Sequence, residues 1–126
     1  MDTLAPSFSV TRNDDLREIY YTISGLFTLE TVNEMFAELS RVAQPFVEDR
    51  KGFRVLGDLR GFSVQTREVV EKIQLSQDRS AKVGGNKMPI LYSSVLVKQQ
   101  FRRVSDALEL GMFENKAEAL IWLRAD

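Results

Sequence analysis

The sequence contains no cysteine and no histidine, and each absence removes whole classes of chemistry. Without cysteine there is no disulfide, no thiol nucleophile and no thiolate ligand for a metal. Without histidine there is no Ser-His-Asp triad, and the usual general base and the commonest transition-metal ligand are missing. We therefore expect a protein with no catalytic residues, no cofactor and no metal site.

The sequence also lacks an excess of charge and any long apolar run. Its 17 Lys and Arg residues nearly balance its 18 Asp and Glu residues, which leaves a net charge of −1. No strong overall field exists to attract nucleic acid or an anionic membrane. No window approaches the ~20 apolar residues of a membrane span, and the start MDTLAPSFSV carries no basic leader. We expect a cytoplasmic protein with no nucleic-acid partner and no membrane span.

The length and the apolar content indicate one globular domain over residues 1–126, because 44% of the 126 residues are hydrophobic. Alternating apolar residues predict strands, and apolar spacings of three and four predict helices. The resulting order is β-β-α-β-α-β-α-β-α. It predicts an α/β protein with a mixed, mostly parallel five-stranded sheet, an N-terminal hairpin and four helices.

Helix ends are marked by capping residues. We predict N-caps at Thr28, Thr66, Ser93 or Ser94, and Asn115. Pro45 is predicted at or just past the end of the first helix, and Gly84 with Gly85 as a left-handed C-cap of the second. The third helix is predicted to bury Val97, Phe101, Val104 and Leu108. The last helix is predicted to bury Ala117, Leu120 and either Ile121 or Leu123.

The stretch from Phe53 to Thr66 reads as a buried strand, a loop and a helix start. We predict that the strand breaks into the loop at Asp58, Arg60 and Gly61. In open α/β sheets ligands and regulatory contacts gather at the carboxyl ends of strands. The candidate regulatory or ligand-binding loop residues are Asp58, Arg60, Phe62, Ser63 and Thr66. Phe62 and Val64 either form an exposed patch or pack beneath the following helix.

A second candidate is a basic helix face formed by Lys98, Arg102 and Arg103. This face suits an acidic partner or a phosphate, and it equally suits a solvated helix surface. An enzymatic alternative would rest on Asp58 with Lys87 or Tyr92. No partner for Asp58 is evident from the sequence.

Two stretches of the sequence resemble the STAS superfamily, the fold of bacterial anti-sigma-factor antagonists. One is the central strand that ends in Asp58-Leu59 before a loop and a helix. The other runs from Leu91-Tyr92-Ser93-Ser94 through Phe101-Arg102-Arg103-Val104 and Met112-Phe113 to Glu118-Ala119-Leu120-Ile121-Trp122-Leu123. The chain is most similar to small stand-alone bacterial STAS-like proteins, which are related to lipid-binding CRAL-TRIO domains.

The resemblance implies a STAS-like fold and a non-enzymatic regulatory module with an unknown protein partner, and it is compatible with a homodimer. The CRAL-TRIO relationship implies an alternative, a binder of a small lipophilic ligand. The residues for such a pocket would be Phe27, Met35, Phe36, Phe101, Met112 and Phe113, which otherwise form an ordinary core.

The sequence departs from the anti-sigma-factor antagonists at the start of the second helix. Those proteins carry Asp-Ser-Ser-Gly there, with a serine that is phosphorylated, whereas this chain has Gln65-Thr66-Arg67-Glu68. Thr66 is the only hydroxyl at the helix start, and Ser63 lies three residues before it. A phosphate on Thr66 would suit a helix N-terminus, but a threonine N-cap needs no further role.

Overall fold

The computed structural model describes residues 5–84, 87–102 and 109–125. Within these ranges the predicted order of elements is confirmed. The strands and helices are β1 (Ser7–Asn13), β2 (Glu18–Gly25), α1 (Leu29–Asp49), β3 (Arg54–Phe62), α2 (Arg67–Lys82), β4 (Lys87–Leu91), α3 (Val95–Phe101), β5 (Glu109–Phe113) and α4 (Lys116–Arg124).

The described strands form one mixed sheet with the spatial order β1-β2-β3-β4-β5. β1 and β2 are antiparallel and form the predicted hairpin. The pairs β2–β3, β3–β4 and β4–β5 are parallel, because a helix connects each strand to the next. The carboxyl ends of β2, β3, β4 and β5 therefore lie at one edge of the sheet, and we call it the carboxyl edge.

The sheet separates two apolar clusters. Alternation along β3 places Val55 in the cluster that contains residues of α1, α2 and α3, and Leu56 in the cluster that contains residues of α4. The first cluster is the larger, and its fully buried members include Ile19 and Phe101. Helices α1, α2 and α3 thus cover one face of the sheet, and α4 covers the other.

Four helices begin at side chains that accept a hydrogen bond from the first turn. The predicted N-caps are confirmed at Thr28, Thr66, Ser94 and Asn115, which accept from the backbone N–H groups of Thr31, Val69, Val97 and Glu118. Each cap satisfies a donor that the helix leaves unpaired and fixes where the helix starts.

The prediction that α1 ends near Pro45 is wrong, because the helix continues to Asp49 with Pro45 inside it. Phe46 anchors the last turn: its ring is buried and stacks on Phe53 at 6.0 Å. Arg12 Nη1 also donates a 2.7 Å hydrogen bond to the Val42 carbonyl, in the turn that precedes the proline. These contacts outweigh the local cost of proline in a helix interior.

The predicted apolar face of α4 is partly wrong. Ala117 and Ile121 are exposed, whereas Ala119 and Leu123 are fully buried and Leu120 is partly buried. Residues 119 and 123 are one helical turn apart, and they pack with Leu91 of the sheet. Ala117, the second residue of the helix, is turned to solvent, and of the two alternatives Ile121 and Leu123 it is Leu123 that is buried.

The C-terminal end of α2 agrees with the prediction at Gly84. The helix ends at Lys82, Val83 is its C-cap residue, and Gly84 adopts a positive φ of 113° at the next position, where a left-handed glycine commonly ends a helix. The predicted cap residue Gly85 lies outside the described residues, as do Val104 and Leu108 of the predicted third helix.

Candidate functional site

Asp58, Arg60 and Phe62 lie in β3 and not in a loop, so this part of the prediction is wrong. The β2–β3 ladder continues beyond Asp58, which pairs with Thr22. After a register shift, Ser24 pairs with Gly61 and Gly25 with Phe62, so β3 contains one extra residue. The true connection to α2 is therefore short and consists of Ser63, Val64, Gln65 and the cap Thr66.

Asp58 and Arg60 pair with each other near the carboxyl end of β3. Arg60 Nη2 lies 2.8 Å from Asp58 Oδ2, and the Arg60 backbone N–H also donates to this carboxylate. Partial burial tends to raise the pKa of Asp58, but the hydrogen bonds from Arg60 outweigh it and lower that pKa. Ser93 Oγ donates to the Arg60 carbonyl at 2.6 Å. The pair is thus an ion pair within the sheet, with its charges mutually compensated.

Phe62 is a core residue and Val64 is exposed. The bulge turns Phe62 into the larger cluster, where it is 4% exposed. Its ring meets Phe27 edge-on at 5.1 Å and lies 5.8 Å from Phe101. Val64, two residues later, is 47% exposed. Of the two alternatives for this pair, burial holds for Phe62 and exposure for Val64.

Gln65 holds three segments of the carboxyl edge together. Its Oε1 accepts from the Phe27 N–H at 2.8 Å, and its Nε2 donates to the carbonyls of Gly25 and Ser63. Its own N–H and C=O are bonded to the side-chain amide of Gln100 on α3. Because Gln65 is only 5% exposed, these bonds replace hydration that the buried groups cannot have.

This glutamine network was missed by sequence reasoning. One signal was available at Gln100, which follows Val97 by three residues and therefore shares the buried face of α3. A polar side chain on a buried face needs a partner, but the sequence does not name it. The partner is 35 positions away in the chain, at Gln65.

Five large aliphatic side chains are exposed on the segments that Gln65 connects. Leu26 lies in the connection between β2 and α1, and Leu29 is the first residue of α1. Val64 follows β3, and Val95 and Leu96 are the first two residues of α3. Their exposed fractions run from 37% for Leu26 to 63% for Val95. We call these five residues the edge patch. It lies at the carboxyl edge of the sheet, where α/β proteins bind ligands and partners.

The predicted basic face is described only in part. Lys98 Nζ lies 4.9 Å from the centre of the Tyr92 ring, over its face, and is half-buried. Arg102 is exposed and follows the last residue of α3, while Arg103 lies outside the described residues. Lys98 thus has a cation–π contact that accounts for its position without a ligand.

The two residues proposed for phosphorylation, Thr66 and Ser63, make structural hydrogen bonds, Thr66 through its hydroxyl and Ser63 through its backbone. Thr66 is exposed, and its Oγ1 accepts from the Val69 N–H at 3.3 Å. Ser63 is half-buried, and its backbone N–H donates to the Gly25 carbonyl. The N-cap role of Thr66 is therefore confirmed, and modification of Thr66 or Ser63 stays a prediction.

The residues of the enzymatic alternative make separate contacts. Lys87 Nζ donates to the Ala125 carbonyl and lies 4.4 Å from the centre of the Trp122 ring. Tyr92 donates its hydroxyl proton to Glu114. Asp58 is bonded to Arg60, so each of the three groups has a different partner. Within the described residues, no group of three or more Asp and Glu side chains is arranged to hold a metal ion.

The six apolar residues proposed for a lipophilic pocket do not form one pocket. Phe27, Met35 and Phe101 are buried in the larger cluster, and Phe36 and Met112 pack against its margin. Phe113 packs against the smaller cluster, on the opposite face of the sheet. Met35 and Phe36 border open space between α1 and α2.

The fold is similar to two solved structures. One is an uncharacterised protein of the DUF3478 family from Shewanella loihica PV-4 with a SpoIIAA-like fold, 18% identical, with a TM-score of 0.66, over 94% of this chain and 93% of that one. The other is an anti-sigma factor antagonist from Mycobacterium paratuberculosis, 12% identical, with a TM-score of 0.62, over 94% and 96%. The chain therefore has the predicted STAS-type fold.

No protein-family model matches the sequence, and no curated protein matches it. Among the residues that the structure describes, no helix is long and apolar enough to cross a membrane.

Proposed function

We propose that this chain is a non-enzymatic regulatory domain that binds a protein partner through the edge patch. The observation that carries the proposal is the grouping of Leu26, Leu29, Val64, Val95 and Leu96 on segments that one buried glutamine connects. The likeness to an anti-sigma factor antagonist supports a regulatory role of this kind.

Exposed aliphatic residues scattered over a surface need no explanation, but a group of them does. The edge patch comes from three separate connections, so local sequence does not account for the grouping. The first connection is held by Gln65 Nε2, which donates to the Gly25 carbonyl, and by the Phe27 N–H, which donates to Gln65 Oε1. Gln100 Nε2 donates to the Gln65 carbonyl and holds α3. Loops positioned by a rigid scaffold are where binding residues concentrate.

The charges beside the edge patch are mixed in sign. Arg67 and Glu68 open α2, and Glu30 lies in the first turn of α1. Burial of the aliphatic side chains would therefore provide most of the affinity, with the charges selecting among partners. We infer an apolar contact surface on the partner, ringed by groups of both signs.

The proposal is tested by capture of binding partners from the source cells with variants of the edge patch. We expect Leu96→Glu to lose a partner that the wild-type protein retains, because a charge buried in an apolar contact loses its hydration. Ile121→Glu is the matched control, since Ile121 is 72% exposed on α4 and outside the patch. The control should retain the partner, and thermal unfolding should show that both variants are folded.

Equal capture by wild type and Leu96→Glu would contradict the proposal. Sedimentation of the purified protein addresses the homodimer that the sequence resemblance allows. A dimer that Leu96→Glu dissociates would assign the edge patch to self-association and would also contradict a partner of different sequence.

Phosphorylation at Thr66 is the second candidate mechanism, since an exposed hydroxyl at the start of α2 lies next to Val64 of the edge patch. A phosphate there would add negative charge beside an apolar contact and weaken it. Intact mass measurement of the protein from its source cells, compared with Thr66→Val, tests this. An added phosphate mass that persists in the variant would place the modification elsewhere.

A further inference from the structure

A groove of about 250 Å³ lies between α1 and α2, on the larger cluster's side of the sheet. It is separate from the edge patch, and none of the five patch residues lines it. Its walls are mostly apolar. They include Phe36, Leu39 and Val47 of α1, Phe53 just before β3, Val55 in β3, and Val83 after α2.

The inner end of the groove is narrow. Its lining is mostly apolar and also includes the polar side chains of Tyr21 and Gln77, which with Met88 border a space of about 20 Å³, enough for one group the size of a water molecule. Gln77 is 5% exposed, and its Nε2 has no partner at hydrogen-bonding distance and angle among the described residues. The Tyr21 hydroxyl donates to Met88 Sδ at 3.5 Å. Because the space is so small, an aliphatic chain that entered the groove would stop at this narrow floor, of which Gln77 forms part.

The outer end of the groove is cationic. Arg79 lines the groove itself, and Lys82, Arg50 and Lys51 line the open space that adjoins it at Val47 and Val83. Among the described residues, Glu48 is the one acidic side chain that lines either space. The neighbouring carboxylate of Asp49 is held by Arg17 at 2.7 Å. The local excess of positive charge at this end favours an anionic group.

We propose that the groove binds a free aliphatic monocarboxylate of about eight to ten carbons. The length follows from the volume, which corresponds to about eight groups of water or methylene size. The chain fills the apolar groove from which water is readily displaced, and the carboxylate lies among the cations at the outer end. Arg79 and Lys82 are the recognition residues, and Gln77 sets the limit on chain length.

Calorimetric titration with decanoate, below the concentration at which it forms micelles, tests the proposal on the full chain. We expect saturable binding of one decanoate, with much weaker binding of the neutral decanol. The double variant Arg79→Gln with Lys82→Gln should weaken decanoate binding about fivefold or more. The double variant Arg41→Gln with Lys72→Gln, which removes two exposed cations that do not line the groove, should bind as the wild type does.

Chain length gives a second readout that does not depend on charge. Wild-type protein should bind decanoate more tightly than hexadecanoate, because the narrow floor excludes the longer chain. Gln77→Ala should reduce this preference, because the shorter side chain leaves room for more methylene groups. A preference unchanged by Gln77→Ala would contradict the role of the floor.

Three outcomes would overturn the proposal: no decanoate binding, equal binding by the Arg79/Lys82 variant, or equal binding of decanol. Binding to anionic phospholipid vesicles without binding of free decanoate would show a membrane surface to be the ligand, and would also overturn it. None of these results bears on partner binding by the edge patch, because none of the patch residues lines the groove.

Discussion

The side-chain amide of Gln100 pairs with the backbone of Gln65 in the manner of a neighbouring strand. The Gln65 N–H donates to Gln100 Oε1, and Gln100 Nε2 donates to the Gln65 carbonyl, each at 2.8 Å. Gln65 in turn bonds Gly25 and Phe27, so α3 is connected through one residue to the start of α1. We therefore expect the arrangement of the edge patch to depend on this connection.

Replacement of Gln100 by Ala should lower the free energy of unfolding by about 1–3 kcal/mol, because two partly buried backbone groups of Gln65 lose their partners. Gln99→Ala is the matched control, since Gln99 is the adjacent residue of α3 and is exposed. Urea unfolding of both variants measures the difference. Equal stability of the two would show that the amide pair contributes nothing.

Gln100→Ala should also reduce partner capture while the edge-patch residues are unchanged. The expected effect is partial, because the contact residues remain and only their arrangement is loosened. If Gln100→Ala is destabilised and still captures the partner fully, partner binding does not depend on the glutamine network, and this prediction is wrong.

Most of the fold could be predicted because its signals are local. Caps such as Thr28 and Asn115 satisfy donors within three residues of themselves, and the apolar spacing of α1 requires only the helical period. The parallel pairing followed from the alternation of strands and helices. These features depend on neighbours in the sequence, and they are confirmed.

The errors arose where distant residues decide the outcome. Asp58 and Arg60 look like loop residues, but the ladder to β2 extends past them and their charges compensate each other. Pro45 stays inside α1 because Phe46 packs on Phe53, seven residues away in the next segment. The candidate site depended on the same kind of contact, and Gln65 could not be found from its neighbours alone.

Glu18 of β2 is fully buried and forms an ion pair with Arg124 of the last helix, whose side chain is 42% exposed. Arg124 Nε and Nη2 each lie 2.9 Å from a carboxylate oxygen of Glu18, which also accepts from the Tyr20 hydroxyl. Glu18→Gln removes the counter-charge from a guanidinium that water still reaches. We therefore expect a loss of about 1–2 kcal/mol at pH 7, measured by urea unfolding.

The same pair predicts a pH dependence. The hydrogen bonds from Arg124 lower the pKa of Glu18 below its usual 4.5, against the effect of burial. A carboxyl group with a lowered folded-state pKa contributes stability above its unfolded-state pKa, and this contribution is lost as the pH falls below that value. Wild type should therefore lose more stability between pH 7 and pH 3 than Glu18→Gln. A parallel loss in both would contradict the assignment, and Glu34→Gln, at an exposed position of α1, serves as the control and should lose stability as the wild type does.

Gly57 makes room for the ring of Tyr21 on the neighbouring strand. A Cβ at position 57 would lie 2.3 Å from Tyr21 Oη and 2.4 Å from its Cζ, which real contacts do not allow. Gly57→Ala should destabilise the protein by about 1–3 kcal/mol, because a buried ring must shift. Tyr21→Ala removes the ring, so adding Gly57→Ala to that variant should cost much less. Equal costs in the two backgrounds would refute the close approach.

Gln77 is a position at which we expect a substitution to stabilise the protein. Its Nε2 is buried without a partner among the described residues, and a buried donor left unpaired costs free energy. Gln77→Met keeps the length of the side chain and removes the donor. We expect a gain of about 1 kcal/mol in the free energy of unfolding, measured by urea denaturation without added ligand. Gln99→Met, on an exposed position, should change little, and a destabilised Gln77→Met protein would mean that the amide is satisfied in solution.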